Sequence, residues 1–216
     1  AIATPAWIGP FPGGNGKGRF GSADKSTWIV KSVWEHASIG LGPESIVKNL
    51  TADAAYAALA GRAPALGGAC FAEAFVDGRE FNLSLLTGPD GPEVLPPAEI
   101  IFDGYTADMP RIVDYRAKWD EAAYEFHHTP RQFDFDTTDG DLLEQLKTIA
   151  LDCWHGFGLA GYARVDFRVA ADGTPFVLEI NANPCIAPDA GFAAALTRAG
   201  IAFEDAVARI IAGSFR

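Results

Sequence analysis

The sequence is short of cysteine and of long apolar runs, and each shortage excludes a class of protein. The three cysteines among the 216 residues, Cys70, Cys153 and Cys185, are scattered and show no CxxC spacing. They support neither a disulfide framework nor a zinc site, so each is expected to be a small buried side chain in a reducing cytoplasm. No apolar run approaches the roughly 20 residues that a membrane-spanning helix needs.

Basic residues are also scarce. The chain has 17 Lys and Arg residues against 28 Asp and Glu residues, which gives a net charge of −11. Because a general nucleic-acid or anionic-membrane binder presents a basic surface, neither partner is expected here. A hydrophobic share of 49% indicates a folded globular chain, and any anionic ligand must be held by a few local cations.

Turn and periodicity signals predict short strands and helices along most of the chain. Strands are expected at residues 28–33, 70–76, 79–86 and 93–102, and helices from residue 44 and at residues 51–61, 139–157, 190–199 and 203–213. Asp77-Gly78 is the strongest short-range signal for a β-hairpin, and a second hairpin is expected at residues 162–183. Thr51 is expected to cap the second helix and Gly61 to end it. This order favours an α+β fold with an antiparallel sheet backed by helices.

Two segments interrupt this pattern. Residues 9–27 are dense in Gly, Pro, Ser and Lys and are expected to form a long loop. Their GxGxxG match at residues 16–21 follows no strand and opens no helix, so it does not indicate a dinucleotide site. Residues 103–138 are polar and aromatic and are expected to form an ordered functional loop. A composition break between residues 86 and 93 predicts two lobes, 1–86 and 87–216.

Polar side chains alternate along the second predicted hairpin. A two-residue turn at residues 172–173 would place Asp166 opposite Glu179 and Arg164 opposite Asn181. Because residues two apart on a strand share a face, all four side chains would project from one side. The core-facing side would carry Val165, Phe167, Leu178 and Ile180.

Two carboxylates and a carboxamide on rigid strands suit a hard divalent cation such as Mg²⁺, completed by phosphate oxygens and water. The arginine beside them is placed to neutralise charge on a transferring phosphoryl group. The alternative is an ordinary solvated face, on which polar residues alternate with apolar ones. Upstream residues favour the first interpretation, since Lys31 and Lys118 could bind phosphates and Glu73 and Glu80 an amino group and a ribose.

Four segments, in this order along the chain, resemble the ATP-grasp enzymes, specifically the D-alanine–D-alanine ligase-like branch. They are IVKSVWEHASIG at residues 29–40, AEAFVDGREFNLSLL at 72–86, IVDYRAKW at 112–119 and GYARVDFRVAADGTPFVLEINANPC at 161–185. The resemblance covers about residues 28–213. It implies an α+β ATP-grasp fold of two lobes, each with an antiparallel sheet backed by helices, with the nucleotide between them.

The resemblance also implies roles for individual residues at the nucleotide. Lys31 would contact the α- and β-phosphates, under a flexible loop that contains Glu35 and Ser38 and closes over them. Glu73 would accept from the adenine amino group, and Glu80 would bind the ribose hydroxyls. The other implied nucleotide contacts are the backbone of Ala74, Phe75 and Val76, and Leu178.

The resemblance places the reaction at a second set of residues. Lys118 would reach the γ-phosphate, and Arg164 would stabilise the transferring group and the tetrahedral intermediate; Ser38 is grouped with them as catalytic. Asp166, Glu179 and Asn181 would hold magnesium ions, in agreement with the hairpin geometry. The implied activity is an ADP-forming ligase that joins an amino-acid or peptide carboxylate to an amine through an acylphosphate, with ATP and Mg²⁺.

Two features differ from the full-length ligases of this branch. The segments that match belong to the ATP-grasp module, so an N-terminal domain or a partner chain is expected to complete the substrate site. The alternative function is therefore a non-catalytic or partner-dependent Mg-ATP-binding module, and the oligomeric state, monomer or homodimer, stays open. Asp189 and Ala190 replace a serine-containing stretch, and an aspartate there would repel a carboxylate and attract an amine.

Overall fold

The structure, a computed structural model, describes residues 2–13, 26–35 and 37–214. The chain groups into two compact units that interleave along the sequence. The large unit consists of Ala1–Thr4, Asp77–Ile101 and Arg131–Arg216, and the small unit of Pro5–Val76 and Phe102–Pro130. His36 and most of the glycine-rich segment, including its GxGxxG match, lie outside the described residues.

The small unit is built on a four-stranded antiparallel sheet. In spatial order its strands are β1 (Trp7–Phe11), β4 (Cys70–Ala74), β2 (Ser26–Ser32) and β3 (Ile46–Leu50). Helix α1 (Ala52–Arg62) packs on one face, and the Thr51 side chain caps it by accepting from the N–H of Ala54, as predicted. Two short helices, α2 (Tyr115–Trp119) and α3 (Tyr124–His127), lie in the later part of this unit.

Alternation along β2 and β4 separates the core of the small unit from a polar face. The buried residues that pack against α1 are Trp28, Val30, Cys70 and Ala72. Lys31 and Glu73 lie at the alternate positions of the same strands and therefore project from the other face. This arrangement brings two predicted site residues to one side of the sheet.

The large unit is built on a six-stranded antiparallel sheet. Its strands are β10 (Pro175–Asn181), β9 (Tyr162–Ala170), β5 (Gly78–Gly88), β7 (Ala98–Ile100) and β8 (Arg131–Gln132) in spatial order, with β6 (Gly91–Val94) also paired to β5. Three helices complete the unit, namely α4 (Gly140–Gly156), α5 (Gly191–Ala199) and α6 (Phe203–Ser214). These helices and the β9–β10 hairpin match the predicted α+β pattern.

The two faces of this sheet differ in chemistry. The face toward α4 is apolar and includes Phe81, Leu83, Leu85, Val165 and Phe167, all fully buried. Arg79 closes the edge of that face, where its guanidinium binds Glu99 at 2.7 Å and Asp139 at 2.6 Å. The opposite face is covered at one end by α5 and α6 around Leu86. The rest of that face carries polar side chains and is the polar face described below.

The hairpin predicted at Asp77-Gly78 is wrong. Strands β4 and β5 belong to different sheets, β4 between β1 and β2 and β5 beside β9. Glycine is needed at position 78 for space rather than for a turn, since a Cβ there would lie 2.0 Å from the carbonyl oxygen of Val169. The Asp-Gly pair therefore marks a close approach of two strands and a crossing between units.

Four expected elements need further correction: the helix from residue 44, the end of the next helix, the loop at residues 9–27 and the irregular segment at residues 103–138. The segment expected to be helical from residue 44 forms one 3-10 turn and then β3, and Gly61 lies inside α1 rather than ending it. β1 overlaps the start of the loop expected at residues 9–27. Residues 103–138 contain α2, α3 and β8 within their irregular backbone. The lobe boundary expected after residue 86 falls inside β5, and as a functional division it stays a prediction.

The structure tests the expectations that each cysteine is buried and that no apolar run can span a membrane. Cys70 and Cys153 are buried, and burial raises the pKa of the Cys153 thiol to about 11. Cys185 is exposed, contrary to prediction, because it lies in the loop that follows β10. Within the part of the chain that the structure describes, no helix has both the length and the apolar character to cross a membrane.

Gly78→Ala should destabilise the chain because the new methyl group meets backbone rather than a movable side chain. We expect a loss of about 1–3 kcal/mol in the free energy of unfolding, measured by urea titration. Gly156→Ala, at the end of α4 with nothing within 4 Å of its Cβ, is the control and should be neutral or stabilising by up to about 1 kcal/mol. Equal stability of the two variants would contradict the close approach.

Candidate active site

The register of β9 and β10 brings the predicted polar residues opposite one another. Glu179 pairs with Asp166 and Asn181 with Arg164, as predicted. The route differs from the one expected. Next to the turn, Pro175 pairs with Val169, so the turn contains one more residue than predicted. A bulge between Val177 and Glu179 then adds one residue to β10 and restores the predicted pairing of Glu179 with Asp166.

The bulge corrects the assignment of Leu178. With one extra residue in β10, the side chain buried against the α4 face is Val177, at 5% exposure, and Leu178 is not part of that core. Ile180 packs at the margin of the core. The Leu178 side chain, which was expected to pack inward, therefore lies outside the core. Its contact with the nucleotide stays a prediction.

Asp166 is held on two sides on the polar face. Arg164 donates from Nε and Nη2 to its two carboxylate oxygens at 2.7 and 2.8 Å. Asn82, its cross-strand partner on β5, donates from Nδ2 at 2.9 Å. Although burial acts against the charged form, Asp166 raises the pKa of Arg164, with smaller contributions from Glu179 and Glu80. Three carboxylates thus lie around one guanidinium.

Glu80 lies on the same face and is also held by an arginine. Its Oε2 accepts from Nη2 of Arg168 at 2.7 Å, and the two are cross-strand partners. Arg168 also donates from Nη1 to the carbonyl of Gly78 at 3.0 Å. Both side chains are almost fully buried, with 4% of Arg168 and 9% of Glu80 exposed. The predicted ribose ligand is therefore fixed by protein contacts.

The predicted magnesium ligands form a donor set of two carboxylates and a carboxamide. Among residues 2–13, 26–35 and 37–214, no group of three or more His, Cys, Asp or Glu side chains could hold a metal on its own. The side-chain oxygen Oδ1 of Asn181 accepts from the backbone N–H of Asn183 at 2.9 Å, and Glu179 is exposed. Because each of these oxygens can accept more than one contact, the set fits a hard cation that phosphate oxygens complete. As ligands, Asp166, Glu179 and Asn181 stay a prediction.

In the small unit, Lys31 and Glu73 bind each other directly. Nζ of Lys31 donates to Oε2 of Glu73 at 2.5 Å, with 24% and 11% of the two side chains exposed. One oxygen of the carboxylate is thus held, and a carboxylate can accept further hydrogen bonds at the other. The predicted adenine and phosphate ligands are therefore neighbours that orient each other.

The three residues after Glu73 differ in what their backbones can offer. The N–H of Ala74 donates to Ala6 at 2.7 Å, and the N–H of Phe75 donates to Thr27 at 2.9 Å. These two N–H groups are already engaged, whereas no backbone partner of the Val76 N–H is seen among the described residues, and the contact of Val76 with the nucleotide stays a prediction. Side chains of Phe75 and Val76 are half-buried.

The predicted phosphate loop is tied to the segment that carries Lys118. Ser38 donates from Oγ to the carbonyl of Val113 at 2.7 Å, and the indole N–H of Trp119 donates to the carbonyl of Ala37 at 2.9 Å. Ala37 and Ser38 have φ of 57° and 64°, which L-residues adopt rarely and which tertiary contacts must maintain. Glu35, at the start of the loop, is exposed, and its N–H donates to Ser32.

Lys118 itself lies on α2, half-buried. The Asp114 side chain caps this helix by accepting from the N–H of Ala117 at 2.9 Å. Burial raises the pKa of the Asp114 carboxyl, and Glu125 adds to the effect. Lys118 is thus carried by an ordered turn of helix rather than by irregular loop.

Asp189 lies beside a cation that the sequence analysis did not consider. Arg131 donates from Nη1 to the backbone carbonyl of Asp189 at 3.3 Å. Partial burial and the positive charge of Arg164 lower the pKa of Arg131, and Asp189 acts in the opposite direction. The expected preference of Asp189 for an amine stays a prediction, with a neighbouring arginine that offsets its charge.

Three residues of the site were missed by sequence reasoning, Asn82, Arg168 and Arg131. The first two could have been found by extending the alternation rule, since Asn82 follows Glu80 by two residues and Arg168 follows Asp166 by two. Arg131 reaches Asp189 from β8, 58 positions away along the chain. No local pattern predicts such a contact.

Trp119→Phe should loosen the phosphate loop, since it removes the N–H donor to Ala37 and keeps an aromatic ring. One neutral hydrogen bond contributes about 0.5–1.5 kcal/mol, so amide hydrogen exchange at residues 37–41 should become roughly 2- to 12-fold faster. Trp34→Phe is the matched control, because Trp34 is 73% exposed. Unchanged exchange in the Trp119 variant, or equal acceleration in both, would contradict the tie.

Comparisons with known proteins agree on one family. The family described as D-ala D-ala ligase C-terminus matches residues 25–212. A D-alanine–D-alanine ligase from Cupriavidus taiwanensis is 31% identical over 186 residues, 86% of this chain and 51% of that protein. One from Cupriavidus necator is 30% identical over the same shares. The chain spans about half the length of these curated relatives.

Solved structures support the fold. A crystal structure of the D-alanine–D-alanine ligase from Bacillus anthracis matches with a TM-score of 0.67 and 23% identity, over 100% of this chain and 63% of that one. The same ligase complexed with ATP matches with a TM-score of 0.63 and 20% identity, over 100% and 60%. The predicted α+β ATP-grasp fold is thereby confirmed.

Proposed function

The chain belongs to the family of D-alanine–D-alanine ligase C-terminal domains, and we propose that it carries the ATP-dependent, ADP-forming centre of a carboxylate–amine ligase. Its substrates would be amino acids or peptides, with D-alanine a member of that class because the relatives are D-alanine–D-alanine ligases. The observation that supports this most is the register of β9 and β10, which aligns Arg164, Asp166, Glu179 and Asn181 on one face.

The proposed ATP contacts are those that the resemblance to the ATP-grasp enzymes implies. Glu73 would accept from the adenine amino group, with its carboxylate oriented by Lys31, and Val76 would donate from its backbone to the ring. Glu80 would bind the ribose, and the apolar side chain of Leu178 would contact the base. The backbone of Ala74 and Phe75 would line the base, with their N–H groups engaged within the protein.

The phosphates would meet a small set of polar groups. Lys31 would contact the α- and β-phosphates, Lys118 the γ-phosphate, and the loop containing Glu35 and Ser38 would cover them. Asp166, Glu179 and Asn181 would hold Mg²⁺, which supplies charge neutralisation at the phosphate oxygens when bound. Arg164, oriented by both oxygens of Asp166, would face the transferring group.

The chemistry would proceed in two displacements. A carboxylate oxygen of the first substrate forms a bond to the γ-phosphorus while the bond to ADP breaks, and ADP leaves with that electron pair. The amine of the second substrate then attacks the acyl carbon, phosphate departs, and the amine proton is released. Arg164 contributes to both steps by offsetting negative charge, first on the phosphoryl oxygens and then on the tetrahedral intermediate.

A second candidate function is an Mg-ATP-binding module that turns over with a separate substrate-binding domain or partner chain. The observation in its favour is coverage, because the match extends over 51% of the relatives. The substrate site would then be completed by groups outside the residues described, from another segment, a partner chain or a second copy. The two candidates share the nucleotide site and differ in whether this chain alone forms the amide.

Activity with amino acids separates these candidates. The chain with ATP, Mg²⁺ and a panel of amino acids that includes D-alanine should release ADP, with the amide product identified by mass spectrometry. Asn181→Ala should lower this rate at least about tenfold, because it removes a proposed metal ligand. Asn183→Ala keeps the backbone N–H that bonds Asn181 and should retain activity.

Nucleotide binding without amino-acid-dependent ADP release would favour the module. Loss of activity in both asparagine variants would argue against a specific role for Asn181, since Asn183 is placed outside the proposed metal site.

Magnesium dependence can be measured on binding alone. A ligand at 100 times its dissociation constant stabilises a protein by about 2.7 kcal/mol, so ATP with Mg²⁺ should raise the melting temperature. Excess EDTA should remove most of that shift, and Asn181→Ala in the presence of Mg²⁺ should show a similarly reduced shift. A shift that EDTA leaves undiminished would count against the magnesium assignment.

A further inference from the structure

Arg168 occupies an unusual place for an arginine. It lies in the middle of β9, 4% exposed, on the same face as Arg164 and Asp166. A buried charge is costly unless it is paired and hydrogen-bonded. Here the cost is offset by Glu80 at 2.7 Å and by the carbonyl of Gly78 at 3.0 Å, so the guanidinium is anchored at two points.

The same contacts determine the position of Glu80. The residue pairs across strands with Arg168, and only 9% of it is exposed. A carboxylate that no neighbour holds can rotate and presents no fixed acceptor direction. With Arg168 at one oxygen, the orientation of the Glu80 carboxylate is restricted, and a carboxylate oxygen can accept more than one hydrogen bond.

We propose that Arg168 is a positioning residue that orients the Glu80 carboxylate toward the ribose hydroxyls, and that it sets the preference of the site for ribonucleotides over deoxyribonucleotides. This inference rests on the proposed nucleotide role of Glu80. A pair of charged hydrogen bonds to a diol is strong when the acceptor is held in place. These hydrogen bonds weaken when the carboxylate can rotate.

A purely structural ion pair predicts something different. If Arg168 served the sheet alone, its loss would lower stability and weaken every nucleotide by a similar factor. If Arg168 acts through Glu80, its loss weakens the binding of ATP and leaves the binding of analogues that lack ribose hydroxyls nearly unchanged. The ratio of affinities therefore distinguishes the two roles, whereas the affinity for ATP alone does not.

The test measures dissociation constants of the chain with Mg²⁺ for ATP, 2′-deoxy-ATP and 2′,3′-dideoxy-ATP. A hydrogen bond to a charged group is worth about 1.5–3 kcal/mol, so the unmodified chain should prefer ATP over the dideoxy analogue by roughly 10- to 100-fold. Arg168→Met should reduce that preference to within about threefold. Arg168→Lys should recover part of it, because Nζ can still reach Glu80.

Two further variants make the test specific. Arg79→Met is the matched control, since Arg79 precedes Glu80 on the same strand and forms ion pairs with Glu99 and Asp139 on the other face. It should lower stability and leave the ATP preference unchanged. Glu80→Gln should lose the preference, and adding Arg168→Met to it should cause no further loss in the ratio.

The outcomes are separable from those of the ligase assay. An ATP preference that survives in Arg168→Met, or falls equally in Arg79→Met, would overturn the positioning role. If Arg168→Met does not fold, Arg168→Lys and Arg168→Gln provide the same ratios, with melting temperatures measured alongside. Binding with ribose discrimination but no amide formation would refute catalysis by this chain and still support the role of Arg168.

Discussion

The placement of β9 between β5 and β10 is the constraint on which the polar face depends. Val165 and Phe167 are fully buried on one side of β9, so the strand cannot slip by one residue without exposing them. With that register maintained, Asp166 meets Asn82 on one neighbouring strand and Glu179 on the other. Apolar packing thus determines where the charged groups converge, although none of the apolar residues belongs to the proposed site.

Three cations of the proposed site are each paired with a carboxylate in a chain of net charge −11. Lys31 binds Glu73, Arg164 binds Asp166, and Arg168 binds Glu80. A general positive field is therefore absent as a means of attracting a polyphosphate. These residues must therefore recognise an anion through short-range, oriented hydrogen bonds. An arginine whose guanidinium is already oriented by neighbouring oxygens is suited to make them.

Sequence reasoning predicted the local features well and the long-range ones poorly. The Thr51 cap, the α4 helix and the pairing of Asp166 with Glu179 follow from patterns within a few residues or within one hairpin. The Asp77-Gly78 hairpin failed because strand pairing depends on which edges other strands occupy, and β4 is enclosed by β1 and β2. Leu178 failed because a bulge changes the alternation, and nothing in the local residues signals it. The contact of Arg131 with Asp189 arises only from the tertiary fold.

The extra residue in β10 has a consequence for how such a site can be lost. Upstream of it the strand follows one phase of alternation, and downstream Glu179 and Asn181 follow the other. If the strand lost its bulge without losing a residue, strict alternation from Val177 would keep every side chain of the proposed metal set in the sequence, yet turn Glu179 and Asn181 toward α4. Loss of a bulge, rather than replacement of a ligand, is thus a silent route by which a descendant of this chain could retain its fold and abandon its chemistry.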